Sequence, residues 1–223
     1  MIIISVLHSP SSVLVSLGPD DAVSSGGSGE VFALSPGEWK RLERSLGGGE
    51  DSPFLVPGQP VDEPVCDAIR DAADRTKALR DAANLLNFSD RSRRALIRRL
   101  KERGHAADAA EYAVSSLEKK GLLDDRAACE QYAASAVRSK RVGRRRIEAD
   151  LLAKGFSRED AKAAAGSVPE EDFRAALDWQ IRRNYPVLLE KDADPAERRK
   201  AAAALMRKGF EAEEIRKRVR SEE

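Results

Sequence analysis

The segment Leu151-Leu152-Ala153-Lys154-Gly155-Phe156-Ser157-Arg158-Glu159-Asp160-Ala161 decides the fold. Gly155 reads as the residue just past a helix, where a positive φ is needed and glycine meets it at least cost. Lys154 sits in the last turn, where a cation complements the helix dipole. Ser157, followed by Glu159 and Asp160, is a helix start with a side-chain cap and acids in the first turn. The segment is therefore helix, stop, helix.

The same grammar occurs twice more. Arg103-Gly104 and Lys208-Gly209 repeat the basic residue and the glycine, and Leu100, Leu151 and Leu205 each stand four residues before their glycine. The three glycines are 51 and 54 residues apart. Beyond them the apolar positions recur at helical spacing: Ala110, Ala113, Val114 and Leu117, then Ala161, Ala164, Ala165 and Val168. Such a period holds three short helices. The expected architecture is all-α: three tandem three-helix repeats, about 76–121, 122–168 and 169–223, in an elongated array. Their first helices carry Leu79, Leu85 and Leu86; Tyr132, Ala133, Ala136 and Val137; and Phe173, Ala176, Leu177 and Ile181. Asp194-Pro195 with Glu197 opens a helix in the third repeat, and Asn184-Tyr185-Pro186 breaks one. Alanines bury little area each, so stacking between repeats has to supply part of the stability.

Residues 1–65 read as a small N-terminal module, and residues 66–223 as the repeats. Ile2, Ile3, Ile4 and Val6, then Val13 and Val15, are β-branched runs around Ser9-Pro10-Ser11, expected as one or two short strands. Ser24 to Gly29 is a polar, flexible stretch. Ser35-Pro36 starts a helix with Trp39, Leu42 and Leu46 on its apolar face, and Gly47-Gly48-Gly49 ends it. Pro53, Pro57, Pro60 and Pro64 mark a linker or an extended segment.

Net charge is +1 over 223 residues, yet the halves differ. Residues 1–70 carry 4 Lys/Arg against 10 Asp/Glu, and the remainder 35 against 28. The basic part is the candidate for an anionic partner. Two clusters stand out. Arg91, Arg94, Arg98 and Lys101 share one helix face, with Arg93, Arg99 and Arg103 beside them. Arg138, Lys140, Arg141, Arg144, Arg145 and Arg146 form the second, without an acid. Arg144 opens a helix, where a cation opposes the dipole. No aromatic is interleaved, so phosphate or acidic-protein contact is expected rather than base stacking. The competing reading is a solvated face that keeps the chain soluble.

Enzyme signatures are missing: no phosphate-binding loop, no dinucleotide fingerprint, no His-Glu-x-x-His. His105 follows a C-cap glycine and reads as a boundary residue, and Asp124 and Asp125 as turn and cap residues. Cys66 and Cys129 fit neither a disulfide framework nor a metal motif, and Cys129 is expected in the core. A non-enzymatic, cofactor-free cytoplasmic monomer with no membrane partner is expected.

In the ordered set Arg91-Ser92 through Gly104, Gly121-Leu122-Leu123-Asp124-Asp125, Gly143-Arg144-Arg145-Arg146-Ile147 through Gly155, and Arg207-Lys208-Gly209-Phe210, the chain resembles the RecX family. The resemblance covers about residues 76–223. Leu122 stands for the usual Tyr, Ala128 for Phe, Ala95 for Glu and His105 for an apolar residue, and the N-terminal extension is longer. The resemblance implies a curved helical-repeat protein that binds in the groove of a RecA filament on single-stranded DNA. It also implies restraint of strand exchange, ATP hydrolysis and coprotease activity, with no catalytic centre. A stand-alone basic repeat protein that binds nucleic acid without RecA is the alternative.

Overall fold

The computed structural model describes residues 1–19, 29–48, 54–86, 92–190 and 192–220. The polar stretch from Ser24 to residue 28, Gly49, Pro53 and Arg91 lie outside them. The chain forms two compact units, Met1–Ser89 with Leu96–Leu122, and Asp90–Ala95 with Leu123–Glu223.

In the first unit, β1 (Ile2–His8), β2 (Val13–Gly18) and β3 (Glu30–Leu34) form an antiparallel sheet in that order. The two β-branched runs make β1 and β2, as expected, and Glu30–Leu34, outside those runs, adds a third strand. Alternation places Ile3, Val13, Val15, Leu17 and Leu34 in the core, while Leu7, Leu14 and Val31 face outward. The register pairs Val6 with Val15 and Val15 with Phe32, with an irregularity between Ile3 and Ser5. Helix α1 (Pro36–Ser45) starts as the sequence predicts: the Ser35 hydroxyl accepts from the Glu38 amide at 3.2 Å. Helix α2 (Glu63–Leu86) does two jobs along its length. Cys66, Ile69 and Ala72 close the sheet core together with Trp39, Leu42 and Leu55. Farther along, Ala78, Ala82 and Leu85 are buried where α2 packs against α4 (Ala107–Lys119). Between α2 and α4 in chain order runs α3 (Arg93–Glu102), with Leu96 and Leu100 fully buried.

Buried polar groups in this unit are paired, as burial demands. Glu38, 2% exposed, accepts from Arg75 at 2.7 Å and from the Tyr112 hydroxyl at 2.6 Å. The Glu43 carboxylate accepts from the amides of Phe54 (2.7 Å) and Leu55 (3.0 Å). His105 is a core residue here. Its two ring nitrogens lie 3.1 Å from Asp74 and 2.9 Å from Asp81.

The second unit holds α5 (Asp125–Ser139), α6 (Arg144–Ala153), α7 (Arg158–Ser167), α8 (Glu170–Asn184), a short 3-10 turn (Pro186–Leu188), α9 (Pro195–Arg207) and α10 (Ala212–Arg220). Its core combines Ile147, Leu151, Phe156, Phe173, Leu177, Ile181, Leu205 and Phe210 with many alanines, and with Cys129 as expected. The caps follow the sequence. Asp124, Ser157 and Asp194 accept from Ala127, Asp160 and Ala196, each at 3.0 Å. Gly104, Gly155 and Gly209 have φ of +88, +92 and +93°, the conformation their helix-stop role requires.

Successive repeats are joined where the end of one helix meets the start of another. The end of α9 sits on the start of α6: the Gly143 amide donates to the Lys208 carbonyl at 2.9 Å, and the Arg145 amide to the Gly209 carbonyl at 3.2 Å. Carbonyls exposed at one helix end thereby satisfy amides exposed at the next. The end of α6 meets the start of α3 through a side chain instead. The Ser92 hydroxyl donates to the Lys154 carbonyl at 3.1 Å and accepts from the Ala95 amide at 3.2 Å. A Cβ on Gly143 would lie 2.3 Å from Gly209 backbone atoms, so the α9–α6 joint requires glycine for space.

Candidate partner-binding surface

The first cationic segment is built by α3. Ala95, Leu96, Ile97 and Leu100 turn inward and leave Arg94, Arg98, Arg99 and Lys101 exposed. Arg94, Arg98 and Lys101, at i, i+4 and i+7, follow one ridge. Glu102 reaches Arg98 at 3.8 Å and Arg99 at 3.3 Å, both exposed pairs of small energetic weight. Asp125 has a role that sequence reasoning missed. Its carboxylate accepts from the Arg93 amide at 2.9 and 3.1 Å and so caps α3 from a distance.

The second segment is continuous in sequence but divides in space. Helical rotation between α5 and α6, and the turn at Arg141, send its side chains different ways. Arg144 turns inward: its guanidinium donates to the Ala165 carbonyl at 3.1 Å, pairs with Glu170 and lies 4.8 Å over the Phe173 ring. These contacts answer the question of why a cation stands at the start of α6. Lys140 donates to the Tyr132 hydroxyl at 2.8 Å, and that hydroxyl donates to Asp150 at 2.8 Å. The bond to Tyr132 holds the Lys140 ammonium above its ordinary range. Arg146 pairs with Asp150 at 2.9 Å, and Lys154 lies 5.3 Å over the Tyr132 ring. Lys140, Arg146, Lys154 and Tyr132 therefore make one small cationic cluster. Arg145 points to Glu211 at 3.2 Å. Arg138 points to Asp172 on α8 at 3.6 Å, and Arg141 lies 6.0 Å over the Trp179 ring. Arg91 is outside the described residues.

Three aromatics, Phe173, Tyr132 and Trp179, thus stand beside the cations, although none does in the linear sequence. The linear pattern places Tyr132 on an apolar face and leaves Trp179 off one. The signal for Trp179 was its position off the apolar stripe of Phe173, Ala176, Leu177 and Ile181, four residues before Arg183.

Among the described residues no group of three or more His, Cys, Asp or Glu side chains could hold a metal ion. Burial pushes the Cys129 thiol up to about 12 and raises that of Cys66, so neither is a ready nucleophile near neutral pH. No helix among the described residues is long and apolar enough to cross a membrane.

Comparison with known proteins gives a consistent result. The family models for the first, second and third three-helix domains of RecX match residues 78–117, 124–164 and 170–218. The chain is similar to the regulatory protein RecX of Chromohalobacter salexigens, 33% identical over 136 residues, which span 61% of this chain and 86% of that protein. It is similar to the RecX of Xanthomonas campestris pv. campestris, 35% identical over 138 residues, 60% and 81% of the two chains. Among solved structures, a crystal structure of regulatory protein RecX matches with a TM-score of 0.72 at 18% identity, over 99% of this chain and 98% of that one. RecX from Lactobacillus salivarius matches with a TM-score of 0.58 at 19% identity, over 67% and 96%.

Proposed function

The chain belongs to the RecX family, and we propose from that premise that it modulates a RecA recombinase by binding RecA filaments on single-stranded DNA. It acts by non-covalent contact alone, restraining strand exchange, ATP hydrolysis and coprotease activity. It works in the cytoplasm, as a monomer and without a cofactor.

The observation that carries this reading is the ridge Arg94, Arg98 and Lys101. It is held on the outer side of a helix whose inner side is fully committed to the core, with Glu102 the one acid within α3. A rigid cationic ridge with little internal neutralisation suits an anionic protein–DNA filament better than a compact substrate. Arg138, Lys140, Arg141, Arg145 and Arg146 extend the candidate contact, whereas Arg144 supports it from within. The ridge residues pack nothing, so Arg94→Glu with Arg98→Glu is expected to leave the helical spectrum and melting temperature unchanged while weakening inhibition of cognate RecA ATPase at least tenfold. Inhibition equal to wild type in that double variant would remove α3 from the contact.

A further inference from the structure

Trp179 is 45% exposed on α8, whereas the chain's other tryptophan, Trp39, is 8% exposed in the sheet core. A single exposed apolar side chain is ordinary on a protein surface; Trp179 differs in lying beside cations held in place around it. Its surroundings are organised. Arg141 has φ +52°, the one non-glycine residue with positive φ among the described residues. That conformation is unfavourable for a side chain and persists only where neighbours enforce it. The enforcing group is Gln180, 2% exposed, whose amide donates to the Arg141 carbonyl at 2.9 Å and accepts from the Asn184 amide at 2.7 Å. The Arg141 guanidinium is thereby set 6.0 Å over the indole. Arg183, exposed, follows Trp179 by one helical turn. Arg138 reaches the same stripe of α8 through Asp172. Among the described residues neither Arg141 nor Arg183 has a carboxylate partner.

We propose that Arg138, Arg141, Trp179 and Arg183 form a platform for a single strand of nucleic acid, on which an unpaired base stacks against the indole and the flanking phosphates meet the guanidiniums. The charge selects a polyanion, and the open indole selects an exposed base, because bases within a duplex have their faces covered. An acidic peptide would use the cations and leave the indole without a purpose. The proposal deepens the recombinase-modulator reading by adding a direct contact with the strand. Its test needs no recombinase, so the two ideas fail separately.

The test is fluorescence anisotropy of a labelled oligo-dT with the full chain, beside an abasic oligonucleotide of the same length and salt. Oligo-dT is expected to bind more tightly than the abasic strand. Trp179→Ala should raise its Kd on the order of tenfold, towards the abasic value, while Trp179→Phe retains most of the affinity. Arg141→Gly suits the positive φ and so keeps the fold; it should weaken both probes and flatten the salt dependence. Equal binding of the two probes, with Trp179→Ala changing neither, overturns the proposal. So does a Trp179→Ala variant that keeps wild-type affinity for oligo-dT, even where the abasic strand binds more weakly.

Discussion

Gly143→Ala tests the joint between repeats, because its consequences are steric and can be worked out. Gly143 has φ −83° and ψ 170°, an extended conformation that alanine adopts freely. Backbone strain therefore drops out of the comparison. The added Cβ would lie 2.3 Å from the Gly209 carbonyl carbon and oxygen and 2.5 Å from the Phe210 amide nitrogen. Backbone atoms cannot swing aside as a side-chain end can, so α9 has to move away from α6 by an ångström or more. The bonds from Gly143 to Lys208 (2.9 Å) and from Arg145 to Gly209 (3.2 Å) are then lost or stretched. Each is worth about 0.5–1.5 kcal/mol net. Displacing the core residue Phe210, 2% exposed, adds an overpacking cost of about 1–3 kcal/mol. The expected loss is about 2–6 kcal/mol by urea unfolding followed by circular dichroism. Gly166→Ala is the matched control. A Cβ there meets nothing within 4 Å on helix α7, so a gain of up to about 1 kcal/mol is expected. If Gly143→Ala unfolds within about 0.5 kcal/mol of wild type, the carbonyl-to-amide joint does not hold the repeats together.

Other expectations follow from the same contacts. Glu38→Gln keeps the shape but leaves Arg75, whose side chain is 22% exposed, without its countercharge; a loss of about 3 kcal/mol is expected, read by thermal and urea unfolding. Cys129 has a folded-state pKa pushed up to about 12 from an ordinary 9.0. A raised thiol pKa means the unfolded chain ionises first, so this contribution is intact below about pH 9 and declines as pH rises towards about 12. The stability advantage of wild type over Cys129→Ala should accordingly shrink between about pH 8 and about pH 10.5; a constant difference in urea midpoint would contradict the burial of that thiol.

What the linear sequence discloses here is local. Gly104, Gly155 and Gly209 could be read as helix stops because a positive φ is a property of one residue and its neighbours, and all three adopt it. Asp124, Ser157 and Asp194 were readable as caps for the same reason. The second demand on Gly209, 2.3 Å from its would-be Cβ to the Arg146 amide nitrogen, comes from a helix more than fifty residues away and leaves no local mark. His105 looked like a boundary residue because Asp74 and Asp81, two turns apart on α2, are distant in sequence. The cations from Arg138 to Arg146 were visible as charge but not as surface. Side-chain direction depends on helical rotation and on the left-handed turn at Arg141, so the run separates into an internal clamp, a cluster around Tyr132 and a face beside Trp179. A third strand formed at Glu30–Leu34, where the apolar run is too short and carries too few β-branched residues to stand out, and pairing with β2 completes it.

The decisive measurement for the recombinase reading is the single-stranded-DNA-dependent ATPase of cognate RecA, titrated with this protein beside a bare-DNA binding curve at the same salt. ATPase activity should fall at protein concentrations well below those that occupy bare DNA. If it is untouched, or falls only where the protein has already coated the strand, the filament is not the target, and a stand-alone nucleic-acid-binding repeat protein becomes the correct description.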